Sequence, residues 1–143
     1  MSETSPAYSL VRHQQEHLQV LLSLLKSELA AIAARDVEKL EQGCTLKLQQ
    51  LEQIQQLDLQ IAQLPDLAVL KIQPWFTDAV SILDEILNEC KEQNEINRLS
   101  LEKSQLVVER FKHELLQNRG KSGLTYTAKG KPAVEHIGKG IKA

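Results

Sequence analysis

A regular apolar repeat between residues 76 and 115 constrains this chain more than any other sequence feature. Its positions alternate spacings of four and three residues, which place side chains along one side of an α-helix. At about 1.5 Å per residue, a helix of residues 76–118 would be about 65 Å long. The repeat consists of Phe76, Val80, Leu83, Leu87, Cys90, Asn94, Asn97, Leu101, Ser104, Val108, Phe111 and Leu115.

Two shorter helices are predicted ahead of the long one, over about residues 10–33 and 37–64. Asp36 can cap the second helix by accepting a hydrogen bond from a free backbone N–H. Pro65 ends that helix, and Pro74 closes a loop of about ten residues before the third. The first helix has an apolar stripe of Leu18, Leu22, Leu25, Leu29 and Ile32. The stripe of the second is Leu40, Cys44, Leu48, Leu51, Ile54, Leu57, Ile61 and Leu64.

Length and composition agree with these helices. A chain of 143 residues has the size of one domain, and its low aromatic content of 3% is typical of helical rather than strand-rich proteins. We therefore predict an all-α fold, an antiparallel three-helix, coiled-coil-like bundle of residues 1–118 followed by a flexible basic tail of residues 119–143. Because the first two helices would each be only ~40 Å long, part of the third should lack an intramolecular partner. The unpartnered side chains would be Leu101, Val108, Phe111 and Leu115, with neighbouring Leu106 and Leu116.

The net charge of -2 conceals two regions of opposite sign. Residues 1–118 contain 11 basic and 18 acidic side chains, a balance of -7. Residues 119–143 contain six basic side chains and only Glu135, a balance of +5, together with five of the six glycines. Such a segment buries too little apolar surface to offset the entropy of ordering, so we expect it to be mobile in the free protein. The acidic helices would repel nucleic acid, and the tail has no stacking platform for bases.

One sequence motif resembles a catalytic metal site. His13, Glu16 and His17 fit the pattern H-x-x-E-H, in which two histidines one turn apart bind zinc. A zinc site also needs a further ligand and a walled cleft, which the polar start of an amphipathic helix does not offer. Glycine-rich nucleotide-binding and nucleophile-elbow motifs are absent from the sequence. We therefore expect no enzymatic activity, no cofactor and no metal ion.

Cysteine usage and hydropathy point to the cytoplasm. Cys44 and Cys90 do not form a C-x-x-C pair, and both occupy apolar helical positions, so we predict two buried structural thiols. No uninterrupted apolar stretch has membrane-spanning length, and the first residues lack the apolar core of a signal peptide.

The long repeat permits more than one functional interpretation. The first helix could cover all of it, or two chains could pair along it, giving a generic coiled-coil adaptor or a structural homodimer. Asn94, Asn97 and Ser104 interrupt the apolar stripe. A buried asparagine can fix helix register, and an asparagine that faces a partner can bond its backbone, so both possibilities stay open.

Taken together, the chain resembles the FlgN family, the cytoplasmic chaperones of flagellar type III secretion. On the third helix Asn94, Asn97, Leu101, Arg110 and Leu115 are similar to an N-x-x-N, leucine and arginine series of that family. The tail sequence Tyr126-Thr127-Ala128-Lys129-Gly130 resembles its Y-x-x-x-G stretch. The remaining matches, in the first two helices, are Glu28, Leu29, Ile32, Asp36, Leu40, Lys47 and Leu51.

The resemblance implies a chaperone that binds the hook–filament junction proteins FlgK and FlgL and delivers them to the export gate protein FlhA. It implies that the C-terminal part of the long helix and the tail bind the helical terminal region of the client. Tyr126 would contact the export gate. The client-binding residues expected from the resemblance and the repeat are Asn97, Leu101, Ser104, Val108, Phe111, Leu115 and Leu116.

Overall fold

The computed structural model describes residues 5–126, and the side chains of residues 5–117. This part of the chain contains four helices and no strand: α1 (Pro6–Ala34), α2 (Val37–Ala62), the short α3 (Leu67–Leu70) and α4 (Pro74–Tyr126). The all-α prediction is confirmed. The predicted loop between the second and third helices contains α3, and α4 continues to Tyr126, within the segment predicted as a tail. Residues 127–143 lie outside the described residues, so the mobility expected of the tail stays a prediction.

Local capping determines where α1 and α2 begin. The Ser5 hydroxyl accepts a hydrogen bond from the Tyr8 N–H at 3.1 Å, and Pro6 follows as the first helical residue, so α1 starts earlier than its apolar repeat indicated. Asp36 caps α2 by accepting from the Lys39 N–H at 3.1 Å, as predicted. Arg35 between the helices adopts a left-handed conformation with φ of 55°.

An aromatic cluster surrounds the start of α4, where proline again occupies the first helical position. The Trp75 ring meets Phe76 edge-on, with centroids 5.6 Å apart, and tilts against Tyr8 at 6.1 Å. Its indole N–H donates to Gln73 Oε1 at 2.7 Å. Trp75 therefore joins the start of α4 to the start of α1.

The chain divides into two compact units, Met1–Leu101 and Glu102–Ala143. We call them unit 1 and unit 2. In unit 1, one core cluster contains Leu18, Leu21, Leu25, Ile86 and Cys90. A second contains Ala7, Val11, Leu70 and Phe76, with Trp75 packed against it.

Polar contacts between helices give the helix directions within unit 1. On α4, Cys90 and Asn97 bond the backbone carbonyls of Leu18 and Leu25, so this part of α4 runs parallel to α1. Against α2, Gln14 bonds Ile54, His17 bonds Gln50 and Glu28 bonds Lys47, so α2 runs antiparallel to α1. The three long helices of unit 1, α1, α2 and the first part of α4, thus run up, down and up.

The inward face of α2 differs from the prediction over its first half. Cys44, Leu48 and Leu51 are exposed, whereas Lys47 and Gln50 turn toward α1. Lys47 Nζ lies 2.6 Å from Glu28 Oε2, and Gln50 Oε1 lies 2.7 Å from His17 Nδ1. Satisfied polar contacts therefore replace leucine packing at this end of the α1–α2 contact, and α2 keeps a second apolar stripe on its surface.

The inward face of α4 also differs from the predicted repeat. Ile86 is buried while Leu87 is exposed, and Gln93 is half-buried while Asn94 is exposed. The core uses Phe76, Leu83, Cys90 and Asn97 of the repeat. Of the positions four residues after each of these, Val80 is half-buried against the second core cluster, whereas Leu87, Asn94 and Leu101 are exposed.

The two cysteines occupy different environments. Cys90 is buried, and its thiol donates to the Leu18 carbonyl at 3.7 Å. Burial, with a smaller contribution from the charge of Glu89, raises the pKa of the Cys90 thiol. Cys44 is exposed, so the prediction of a buried thiol is wrong there. It was based on an apolar stripe of α2 whose members Cys44, Leu48 and Leu51 are exposed to solvent.

Candidate functional site

The predicted site residues fall into three environments. Leu101, Phe111 and Leu115 are exposed, and Phe111 exposes 62% of its surface. The half-buried members of the predicted set are Ser104, Val108 and Leu116. Asn97 is buried.

Asn97 belongs to the interior of unit 1. It is only 3% exposed, and its amide donates to the Leu25 carbonyl at 2.7 Å and to Glu28 Oε1 at 2.9 Å. Its Oδ1 accepts from Gln93 Nε2 at 3.0 Å. Glu28 also bonds Lys47, so a polar network links α4, α1 and α2. Contact between Asn97 and a partner would require breaking these bonds, so we leave Asn97 out of the candidate surface.

Unit 2 carries the candidate surface, which we define as Ser104, Val107, Val108, Phe111, Leu115 and Leu116. At 100° per residue, these side chains cover about half of the helix circumference, roughly 180° from Val107 through Phe111 to Leu116. An apolar stripe that faces a single core usually covers about 100°. Val107 is not part of the sequence repeat. It lies one helical turn before Phe111 and about 40° to one side of it, so it widens the surface. It could have been found by testing the positions that flank the repeat.

Charge does not dominate this surface. Residues 102–117 contain three acidic and three basic side chains and are therefore balanced. A neutral helix with a wide exposed apolar face can bury the apolar side of another helix, and this burial supplies the binding energy. The candidate surface is thus hydrophobic in character rather than charged.

Tyr126 is the last residue of α4. Its side chain lies outside the described side chains, so contact with an export gate stays a prediction.

Two residues of the H-x-x-E-H motif, Glu16 and His17, contact side chains outside the motif. Glu16 pairs with Arg12 at 3.7 Å, and His17 bonds Gln50, while His13 is exposed. Among the described residues, no group of three or more His, Cys, Asp or Glu side chains is placed to hold a metal ion.

Length and composition alone would allow α1 to cross a membrane. The core helix of a folded domain can satisfy the same test. In unit 1, Leu18, Leu21 and Leu25 of α1 pack against Ile86 and Cys90 of α4. This packing gives the apolar stripe of α1 a protein partner.

Comparison with known proteins identifies the family. The model of the FlgN family, whose description is "FlgN protein", matches residues 3–133 of this chain. The matched range includes all four helices. No curated protein and no solved structure gives a significant match. Because the family match covers most of the chain, the chain belongs to the FlgN family of flagellar export chaperones.

Proposed function

We propose that this protein is a cytoplasmic export chaperone that binds the helical terminal regions of FlgK and FlgL. By covering those helices, it keeps the junction proteins unassembled and delivers them to the export gate protein FlhA. The role is one of binding and release, without catalysis. Membership of the FlgN family supports the export role, and the exposed apolar surface of unit 2 supports the manner of binding.

The candidate surface carries the proposal. Phe111 and Leu115 expose 62% and 50% of their surfaces, one helical turn apart, in a helix whose charges cancel. Exposed apolar side chains arranged in this way mark a site for a partner helix. Flagellar subunits must be kept from assembling early, and an amphipathic terminal helix buried against this surface could not pair with another subunit.

The basic tail has a separate proposed role. Its lysines speed encounter with an acidic partner and make association dependent on salt. Ordering of a mobile segment lowers the affinity per unit of buried area, which favours the release that export requires. Tyr126 at the end of α4 is the proposed contact with the export gate.

The central experiment measures FlgK affinity by calorimetry. Phe111→Asp and Leu115→Asp should each raise the dissociation constant by more than about tenfold, the effect expected at the centre of an apolar interface. Leu99→Asp is the matched control, because Leu99 lies on α4 in unit 1 with 52% exposure. Circular dichroism would verify that helicity is kept. An unchanged dissociation constant for both unit 2 variants would exclude this surface as the client site.

A second experiment separates the two roles of the C-terminal region. Deletion of residues 127–143 should weaken FlgK binding most at low salt, since the deleted segment contains four lysines and one glutamate. Tyr126→Ala should weaken FlhA binding by the loaded chaperone and leave FlgK binding intact. Equal loss of both interactions would assign Tyr126 to the client site.

A further inference from the structure

The part of α4 that belongs to unit 1 carries a second regular repeat on its outer side. This repeat is the apolar repeat shifted by two positions, which places it about 200° around the helix from the first one. Its members alternate spacings of four and three residues, and all of them are exposed. We call this set the acidic stripe: Asp78, Ile82, Glu85, Glu89, Glu92 and Ile96.

The acidic stripe concentrates four negative charges on one side of α4. Among the residues that the structure describes, none of its carboxylates makes an ion pair, whereas Glu95, just outside the stripe, pairs with Arg98 at 2.6 Å. Glu85 and Glu89 lie one helical turn apart, and Glu92 follows after another turn. Like charges at these spacings repel each other. A partner that brings positive charge to this side of α4 would relieve the repulsion.

Two isoleucines distinguish the acidic stripe from an ordinary solvated helix face. Ile82 is 43% exposed and Ile96 is 48% exposed, and they flank the three glutamates. The two side chains are 14 residues apart, which corresponds to about 21 Å along the helix. Exposed aliphatic side chains bordered by charges are typical of protein–protein interfaces, and the alternating spacing matches the seam of a helical partner. A partner helix of two heptads would reach both isoleucines.

We propose that the acidic stripe binds a basic amphipathic helix of a second protein. Apolar side chains of that helix would pack on Ile82 and Ile96. Its lysine or arginine side chains would face Glu85, Glu89 and Glu92. Complementary charge would speed the encounter and fix the register of the two helices, and burial of the isoleucines would supply binding energy. The same carboxylates repel nucleic acid and anionic membrane surfaces, so the charge selects a protein partner.

The acidic stripe and the candidate surface of unit 2 consist of different residues. The stripe ends at Ile96, and the candidate surface begins at Ser104. They also differ in charge, because the residues of unit 2 around the candidate surface are balanced. The proposal for the stripe therefore does not depend on the proposed function of the chain, and a basic helix and a client would use separate side chains.

A pair of synthetic peptides tests the proposal on the full chain. The first is an amidated three-heptad peptide with leucine at the positions that face Ile82 and Ile96 and arginine at the positions that face the three glutamates. The second has glutamate in place of arginine. Fluorescence anisotropy of the labelled peptides should show the arginine peptide binding at least about tenfold more tightly, with an affinity that falls as salt is raised. An arginine peptide that does not bind at low salt would overturn the proposal.

Charge reversal separates the acidic stripe from a general attraction between a basic peptide and an acidic protein. The double variant Glu85→Lys/Glu89→Lys should raise the dissociation constant of the arginine peptide by more than about tenfold. Glu41→Lys/Glu52→Lys is the matched control, because it changes the net charge equally at two exposed positions of α2. It should raise the constant by less than about threefold, since salt screens distant charges. Equal losses for the two double variants would show that net charge alone attracts the peptide.

A polar substitution tests the apolar part of the stripe. Ile96→Ser should weaken binding of the arginine peptide by about fivefold or more, because it removes buried aliphatic surface. Leu46→Ser is the matched control, since Leu46 lies on α2 with a similar exposure of 46%. Circular dichroism verifies that both variants keep their helicity. If Ile96→Ser binds the peptide as tightly as wild type does, the stripe is not a packed helix interface.

Calorimetry with FlgK distinguishes this site from the client site. Glu85→Lys/Glu89→Lys should keep FlgK affinity while it loses the arginine peptide, and Phe111→Asp should keep the peptide. If the double variant loses both ligands, the stripe is part of the client site and a separate partner is excluded. If Phe111→Asp keeps both ligands, the client proposal fails and the proposal for the acidic stripe stands.

Discussion

Asn97 donates a hydrogen bond to the backbone carbonyl oxygen of Leu25 at 2.7 Å, joining α4 to α1 across 72 residues of sequence. The same amide bonds Glu28, which in turn bonds Lys47 on α2. One buried side chain therefore connects all three long helices of unit 1. A polar core position of this kind fixes the register of neighbouring helices.

We expect Asn97→Ala to lower the free energy of unfolding by about 1–3 kcal/mol, because it removes a buried donor and leaves Glu28 short of a partner. Asn94→Ala is the natural control, since Asn94 is an exposed asparagine one turn earlier and should change stability by less than ~0.5 kcal/mol. Urea denaturation followed by circular dichroism measures both. Equal losses for the two variants would contradict the assignment of Asn97 to the core.

Gln14 is buried with only one half of its amide satisfied. Its Nε2 donates to the Ile54 carbonyl at 3.0 Å and to Asp58, while Oε1 has no hydrogen-bond partner. Gln14→Met removes the unpaired oxygen at similar volume, so the free energy of unfolding should stay the same or rise. Gln14→Glu should be destabilising, and more so at neutral pH than in mild acid, because a buried carboxylate would face Asp58. Thermal denaturation of both variants at two pH values would show this order, and a marked loss for the methionine variant would contradict it.

The two thiols should react at very different rates. Cys44 is exposed, whereas Cys90 is buried with a raised pKa and therefore carries little thiolate. Iodoacetamide should label Cys44 rapidly in the folded protein and Cys90 only when urea unfolds it. Mass spectrometry of peptides after timed quenching locates the label, and Cys44→Ser should abolish the fast phase. Rapid labelling of Cys90 in native buffer would show that unit 1 opens at this point.

The raised pKa of Cys90 also predicts how stability changes with pH. In the unfolded chain the thiol ionises near its ordinary pKa of about 8.5, while the folded chain still holds the proton. Above that pH the unfolded state binds fewer protons than the folded state, so stability falls until the pH passes the folded pKa. Cys90→Ala should show a shallower decline over this alkaline range in urea denaturation. Parallel curves for wild type and variant would indicate that other groups cause the decline.

Sequence predicted the helices well because their signals are local. Asp36 was identified as a cap from its place before an apolar repeat, and its carboxylate performs that function in the structure. Pro65 and Pro74 delimited the connection before α4 for an equally local reason. The short α3 was missed because four residues carry no periodic signal.

The inward faces were harder to predict because α2 and α4 are apolar on more than one side. On α2, Leu48 continues a good helical repeat but faces solvent, while Lys47 faces α1 because Glu28 is there to pair with it. On α4, the choice between Ile86 and Leu87 depends on where α1 lies. Which side chain faces inward is determined by contacts with a helix that is distant in sequence. A local sequence pattern therefore cannot predict it.

The sequence predicted apolar residues of the candidate surface but misassigned a polar one. Phe111 and Leu115 were identified from the repeat and are exposed. Asn97 was assigned to the same surface because a polar residue in an apolar stripe is compatible with either a core or a partner contact. The hydrogen bond from the Asn97 amide to the Leu25 carbonyl shows that Asn97 makes a core contact.

The connection between α1 and α2 has only two residues, Arg35 and Asp36, and its length determines which side of α2 faces inward. Removing one residue there would rotate α2 by about 100° relative to α1. That rotation would bring Leu48 and Leu51 toward the interior and carry Lys47 away from Glu28. In evolutionary terms, the length of this turn selects which face of α2 enters the core, so insertions and deletions at Arg35 should be far rarer among relatives than substitutions.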